Sequence, residues 1–206
     1  MTVKNKVIAN SFFYRKAELV APDLIGCHLM KKDKSGNIIS GVIVETEAYS
    51  QEEASCHGKR RRSPSNESLF GEPGHLYIYL TYGIYHCVNI VTYKNNYANG
   101  VLLRSIAIPY KDERIAAGPG LLAKHFSLTR KEDKLPISVE NGLWIERPSF
   151  NIKMQKIIQT TRIGISDAKD LPWRWYLQKS RSVSKRAKGD YCPSIKQAWR
   201  PQWNNQ

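Results

Sequence analysis

The stretch VETEAYS, Val44 to Ser50, decides how the chain is read. Val42 and Val44 alternate with other residues, which is the period-2 pattern of a strand with one apolar face. The opposite face then carries Glu45, Glu47 and Tyr49, with successive side chains roughly 7 Å apart. A chain with 32 Lys/Arg and 18 Asp/Glu thus lines up two carboxylates and a phenol. Three readings of the stretch are open: a solvated face with ordinary salt bridges, a glycosidase-like pair of acids about 5–9.5 Å apart, or one general base beside an aromatic wall.

The flanking sequence gives the fold. Cys27–Lys32 and Ile38–Tyr49 read as two strands joined at Lys34-Ser35-Gly36-Asn37, a hairpin turn. Ser11–Leu24 has Phe12, Phe13, Leu19 and Val20 spaced for one helical face, with Pro22-Asp23 as a break. Gln51–Gly74 is a polar, basic loop, too long for a mere connection. His75–Tyr93 is β-branched and aromatic but interrupted at Tyr82-Gly83, so it reads as strand, tight turn, strand. Val101–Ile108 is a further strand. Lys111–Ala117 is helix-like, and Gly118-Pro119-Gly120 opens another helix with proline in its first turn. Ser149–Thr161 reads as helical and Arg162-Ile163-Gly164-Ile165 as a short late strand, whereas the segment after Trp173 follows no pattern. No linker divides the chain. The expectation is a mixed α/β (α+β) single domain over residues 1–206, with a largely antiparallel curved sheet, flanking helices and a protruding β-hairpin.

Composition narrows the class. The chain is 41% hydrophobic and 10% aromatic, without repeats, and long enough for one core. Its net charge of +14 favours a polyanionic partner, because each phosphate contact releases a condensed counterion. The charge is clustered: residues 151–206 hold 12 Lys/Arg against 3 Asp, and Lys59-Arg60-Arg61-Arg62 is a second group. No apolar run approaches the ~20 residues that span a bilayer, and no secretory signal is visible. Cys27, Cys56, Cys87 and Cys192 are far apart and form no CxxC pair. That argues against a zinc knuckle or a disulfide framework and for reduced, mostly buried thiols in the cytosol.

Two more groups carry chemistry. In HLYIYLTYGIYHCVN, residues 75–89, Tyr77, Tyr79, Tyr82 and Tyr85 crowd one hairpin. Core packing accounts for Tyr77 and Tyr85, but a large ring at the Tyr82-Gly83 turn points outward, where it can insert between bases. In Val101-Leu102-Leu103-Arg104, a guanidinium in an apolar strand is costly unless it is paired or faces a cleft. Glu45 and Glu47 are its natural partners.

These pieces, in this order, resemble the alkyladenine (3-methyladenine) DNA glycosylase family. The match is carried by Val44–Tyr49, His57, Ser63-Pro64 with Asn66 and Phe70, Pro73–Tyr77, Tyr82–Tyr85 with Cys87 and Asn89, Val101–Arg104, Gly118–Gly120, Arg162–Gly164 and Pro172–Arg174. It runs from about residue 10 to about 185, leaving 186–206 as a basic, tryptophan-containing tail to which the family gives no role. The resemblance implies a monofunctional DNA glycosylase of base excision repair. Such an enzyme flips an alkylated or deaminated purine out of duplex DNA, hydrolyses its N-glycosidic bond and leaves an abasic site without cutting the strand.

The resemblance also implies residue roles. Glu47 would activate water for attack at C1′. Arg104 would hold that water and keep Glu47 ionised by depressing its pKa. Tyr82 would fill the gap left by the flipped nucleotide. Tyr49 would stack on one face of the base, with His57 and Tyr79 on the other, and Asn89 would obstruct the 2-amino group of guanine. Phosphate contacts are expected from Arg60, Arg61, Arg62, Gly118, Gly120 and Lys124. No metal or cofactor is implied. The partner is double-stranded DNA containing damaged purines, with no membrane, and the protein is a monomer, cytoplasmic and nucleoid-associated in a bacterium or nuclear in a eukaryote. The chain departs from the pattern at Ser65, where an Arg is usual, at Leu121, where Lys is frequent, and at Lys124, near a usual Gln, so a shifted backbone footprint is expected. Two competing readings are a non-catalytic nucleic-acid-binding module, using the basic surface and the Tyr hairpin, and a carbohydrate hydrolase using Glu45 with Glu47.

Overall fold

A computed structural model describes residues 6–148 and 155–201. Among them are strands β1 (His28–Lys32), β2 (Ile38–Ser50), β3 (Leu76–Thr81), β4 (Tyr85–Val91), β5 (Asn99–Ala107), β6 (Leu143–Glu146), β7 (Ile157–Thr160) and β8 (Arg174–Leu177), and helices α1 (Ala17–Asp23) and α2 (Pro119–His125). The strands form one open sheet in the order β3-β4-β5-β2-β1-β6, with β8 also on β2 and β7 beyond it. Every strand pair in it is antiparallel. The result is a single α+β domain, as expected.

β2 organises the sheet. One edge pairs with β5 along Val42–Ser50. The other pairs first with β1, through Ile38–Val42, and then with β8, through Glu45–Glu47. The β2–β5 register slips twice, leaving Val44 and Arg104 without a partner across the ladder. A bulge breaks strict alternation and re-aims a side chain. Arg104 and the next residue, Ser105, accordingly both reach Glu45, which regular pleating forbids.

The two helices cover the sheet. α1 docks on β2 and β5, where the Thr46 hydroxyl donates to the Ala21 carbonyl at 2.8 Å. Its first turn is held by the Asn99 side chain, which accepts from the Ala17 N–H at 2.7 Å. α2 packs on β4 and β5, and Lys31 Nζ donates to the Phe126 and Ser127 carbonyls just past its end, at 2.7 and 2.9 Å. The core between these layers includes Phe13, Leu24, Ile43, Leu103, Ile106 and Phe126. The β3–β4 hairpin forms one side of the sheet, with positive φ at Tyr82 (51°) and Gly83 (71°).

Several local expectations differ from the structure. The stretch expected as one helix over Ser11–Leu24 is a 3₁₀ turn at Asn10–Phe13 followed by α1, which accommodates Pro22 in its last turn. Lys111–Ala117 is not helical: the Asp112 side chain accepts the Arg114 N–H at 2.7 Å, an Asx turn, and Ala117 bridges to Ser105. Of Ser149–Thr161, residues 149–154 lie outside the described residues, and Ile157–Thr160 is strand β7, paired with β8. Arg162–Ile165 is not a strand, because its polar groups are engaged by side chains instead of a ladder. The segment after Trp173 supplies β8 and then a strap along the sheet. Arg114 Nη1 donates to Val183 O at 2.7 Å, and Arg186 pairs with Asp190 at 2.7 Å.

This packing predicts a clear contrast. Leu103→Ala, in the core, should lower unfolding free energy by about 2–5 kcal/mol in a denaturant titration. Tyr82→Ala, at a residue 86% exposed, should change it by less than about 0.5 kcal/mol.

Candidate active site

Glu45, Glu47 and Tyr49 share one face of β2, and that face is buried. Glu47 has no exposed surface. Its Oε2 accepts from Arg104 Nη1 at 3.1 Å and from the Tyr49 hydroxyl at 2.8 Å. Its Oε1 accepts the Ile163 backbone N–H at 2.8 Å. A carboxylate offers roughly four lone-pair directions, so one remains for a further donor. Glu45 accepts from Arg174 (2.8 Å), the Ser105 hydroxyl (2.7 Å) and the Ser184 N–H (2.7 Å), while Arg104 Nε lies 3.5 Å away without a hydrogen bond. None of these partners lines the aromatic cleft beside Tyr49, which argues against Glu45 as a partner acid for Glu47 in a carbohydrate hydrolase.

The charges have a resolved direction. Complete burial pushes the Glu47 pKa up; Arg104, the Ile163 N–H and Tyr49 pull against that rise, and Glu45 adds to it. The expectation that Arg104 leaves this carboxyl depressed is therefore corrected: Arg104 acts in the anticipated direction, but loss of water outweighs it. On Arg104 burial opposes the charge, and Glu47 and Glu45 overcome it, so the guanidinium stays protonated. Burial, reinforced by Glu47, holds the Tyr49 phenol far above its ordinary range, as a neutral donor.

Tyr49 also forms a wall of a narrow cleft, with His57, Tyr77, Tyr79 and Asn89 around it. The His57 ring meets Tyr79 edge-on, with centroids 4.5 Å apart, and its Nδ1 lies 2.7 Å from the Tyr77 hydroxyl. Desolvation holds His57 below the ordinary histidine pKa, leaving it neutral at pH 7. Asn89 is fixed by donation from Nδ2 to the Tyr77 carbonyl at 3.1 Å. Behind Tyr49, the Arg162 guanidinium sits 4.6 Å from the ring centroid and pairs bidentately with Glu53 at 2.7 and 2.8 Å. The structure thus brings Glu47, Arg104, Tyr49, His57, Tyr79 and Asn89 into one region.

The residues expected to meet the DNA backbone are more scattered. Arg60, Arg61 and Lys124 are exposed. Arg62 is committed to Glu67 (2.8 and 2.5 Å) and Asn96 (2.9 Å), and it lies over Phe70. Asn66 shapes this loop, donating to the carbonyls of His57 and Arg61 at 2.8 and 3.0 Å. Gly118 starts α2 at φ 130°, and a Cβ on Gly120 would fall 2.8 Å from the Tyr85 ring. That glycine lets the hairpin rest on the helix start, while Tyr82 stands free beyond it.

Sequence reasoning assigned no role to the Ile163 N–H, the Arg162–Glu53 pair, Arg174 or Ser184. Arg162, Ile163 and Arg174 sit in motifs that carry the family resemblance, but only the fold shows what they touch. Nothing in the sequence around Glu53 or Ser184 marks them. Of the two rings expected in the core, Tyr77 is buried, with its hydroxyl 2.7 Å from His57 Nδ1, whereas Tyr85 is 49% exposed at the start of β4.

Comparison with known proteins gives the family. The model of the family described as methylpurine-DNA glycosylase matches residues 11–181. A protein of Synechococcus elongatus is 41% identical over 79% of this chain and 83% of its own length. One of Trichodesmium erythraeum is 39% identical over 88% and 98%, and one of Carboxydothermus hydrogenoformans 34% identical over 87% and 100%. All three carry the provisional name 3-methyladenine DNA glycosylase. With the family model matching most of the chain, and such relatives aligned over 79–88% of it, the chain belongs to the methylpurine-DNA glycosylase family.

Proposed function

We propose that this DNA N-glycosylase, a hydrolase acting on DNA, flips an alkylated or deaminated purine nucleotide out of the duplex and releases its base by water attack at C1′. The observation that carries the reading is Glu47: a buried carboxylate, held by Arg104, Ile163 and Tyr49, directly behind a cleft walled by aromatic rings. A base inside the stack is out of reach, so extrusion comes first and costs a few kcal/mol, least for a badly paired lesion. Tyr82, standing at the hairpin tip, occupies the vacated space. The extruded ring stacks between Tyr49 and the His57–Tyr79 pair, where electron-poor alkylated purines are favoured, and Asn89 disfavours a guanine 2-amino group. In the free protein Glu47 is fully covered, so water reaches it once the nucleotide opens the cleft beside Tyr49.

At the reacting centre the N-glycosidic bond breaks with its electron pair leaving on the purine. Positive charge develops on the sugar and is stabilised by the Glu47 carboxylate. Glu47 takes a proton from the water that adds to C1′, Arg104 orients that water, and the products are a free base and an abasic site. Among the described residues, no lysine is found among the partners of Glu47 or Arg104, which supports hydrolysis over an imine-forming, strand-cutting path. Arg60, Arg61, Lys124 and the start of α2 contact the phosphates, and the protein acts as a monomer on DNA inside the cell.

Glu47→Gln should bind lesion duplex but lose base release by about 10²–10⁴-fold, measured as alkali-labile sites in DNA carrying alkylated purines. An unaltered rate would leave only a binding module. Without alkali, the wild-type protein should generate abasic sites and no strand breaks on a denaturing gel. Because burial raises the Glu47 pKa and the base must be ionised, release should fail as pH drops through a value above the usual range of free glutamate, near 4.5. A pH–rate profile flat down to that range would contradict the assignment.

A further inference from the structure

Glu45 has no part in the reaction just described, yet it is as deeply buried as Glu47 and, like it, accepts three hydrogen bonds. Unlike Glu47, it has no bond to a residue lining the cleft. What it does touch is Arg104. The guanidinium lies between the two acids, with Nε 3.5 Å from Glu45 and Nη1 3.1 Å from Glu47. Arg104 Nε makes no hydrogen bond of its own, so charge alone draws that edge toward Glu45. A guanidinium is planar and rigid, and fixing one edge fixes the direction of the other. Glu45 is in turn held from three directions, by Arg174 on β8, Ser105 on β5 and the Ser184 N–H in the strap.

Resting on the catalytic reading above, we infer that Glu45 is a positioning residue that acts through Arg104, setting where the guanidinium points and how much of its charge Glu47 receives. The other titratable groups facing Glu47 are Tyr49 on its own strand, Tyr79 on β3, Cys87 on β4 and Arg162 in the loop before β8, with Arg174 opposite it in the β2–β8 ladder. Tyr49, Tyr79 and Cys87 are neutral at working pH, since burial raises all three. Arg162 is tied to Glu53. Glu45 is therefore the charge that competes with Glu47 for Arg104.

The test is single-turnover release of 3-methyladenine from a duplex across pH, by the wild type, Glu45→Gln and Ser105→Ala. This base already carries a positive charge, so its departure needs no added proton and the acid limb reports the base catalyst. Glu45→Gln should slow release on the order of tenfold to a hundredfold by misaiming Arg104. It should leave lesion binding in place and move the acid limb down by about one pH unit, since Glu47 loses a negative neighbour and gains the whole guanidinium. Ser105→Ala keeps the charge but removes a donor, so Glu45 draws harder on Arg104 and the limb should move up. Opposite displacements support the inference. A limb that stays, or moves the same way in both variants, overturns it. Should Glu45→Gln fail to fold, Ser105→Ala decides alone, with a rise in support and an unmoved or lowered limb against. Glu47→Gln run in parallel separates the two failures. If it still releases base, the catalytic reading itself falls. If it is dead while the limb stays in place in the other variants, only the role of Glu45 falls.

Discussion

The structure depends on burying six charges together. Glu45, Glu47 and Glu53 meet Arg104, Arg162 and Arg174 with all six side chains nearly out of water, and the formal charge of the group is zero. Taking each ion out of solvent costs several kcal/mol, and leaving one unpaired costs about 3–5 kcal/mol. Each member compensates another, and together they fix one arrangement of their carriers. The carriers are β2, β5, β8 and the loops holding Glu53 and Arg162, so the interactions that hold the sheet together also set the electrostatics behind the cleft.

The outer surface follows the opposite rule. The net charge of +14 resides outside this neutral centre, where it attracts a polyanion without disturbing the acids inside. The hairpin links the two regions. Its base is pinned where Tyr85 lies against Gly120, and its tip presents Tyr82 to solvent. A large exposed ring stabilises nothing in the free fold, which fits a surface completed by nucleic acid.

Much of this was legible from one strand. The alternation around Val44 places the two acids and Tyr49 on a common face, and Arg104 in an apolar strand calls for the partners it has. The hairpin break at Tyr82-Gly83 and the helix start at Gly118-Pro119 were equally readable, because positive φ and proline are local properties. What the sequence hid is non-local. The slips at Val44 and Arg104 leave no mark in either strand, since a bulge is a property of the pair. The Ile163 N–H is a backbone group that any residue but proline supplies. Arg162–Ile165 looked apolar enough for a strand, but its binding partners are carboxylates from distant loops. The net effect on Glu47 also escaped the sequence, because a neighbouring guanidinium can be guessed from residue type, whereas the degree of dehydration cannot.

The strap that reaches Glu45 has a consequence for how the molecule comes into being. Ser184 contacts Glu45 across 139 positions of chain, and Arg162 reaches Glu53 across 109. Contacts so distant along the sequence form late, because the loop entropy is lost before they can offset it. During synthesis, β2 leaves the ribosome with its acids uncompensated: Glu47 waits 57 residues for Arg104, and Glu45 waits 129 for Arg174. The nascent chain therefore carries both acids well before the cluster around them can close, and that closure waits for Ile163, Arg174 and Ser184 to be made.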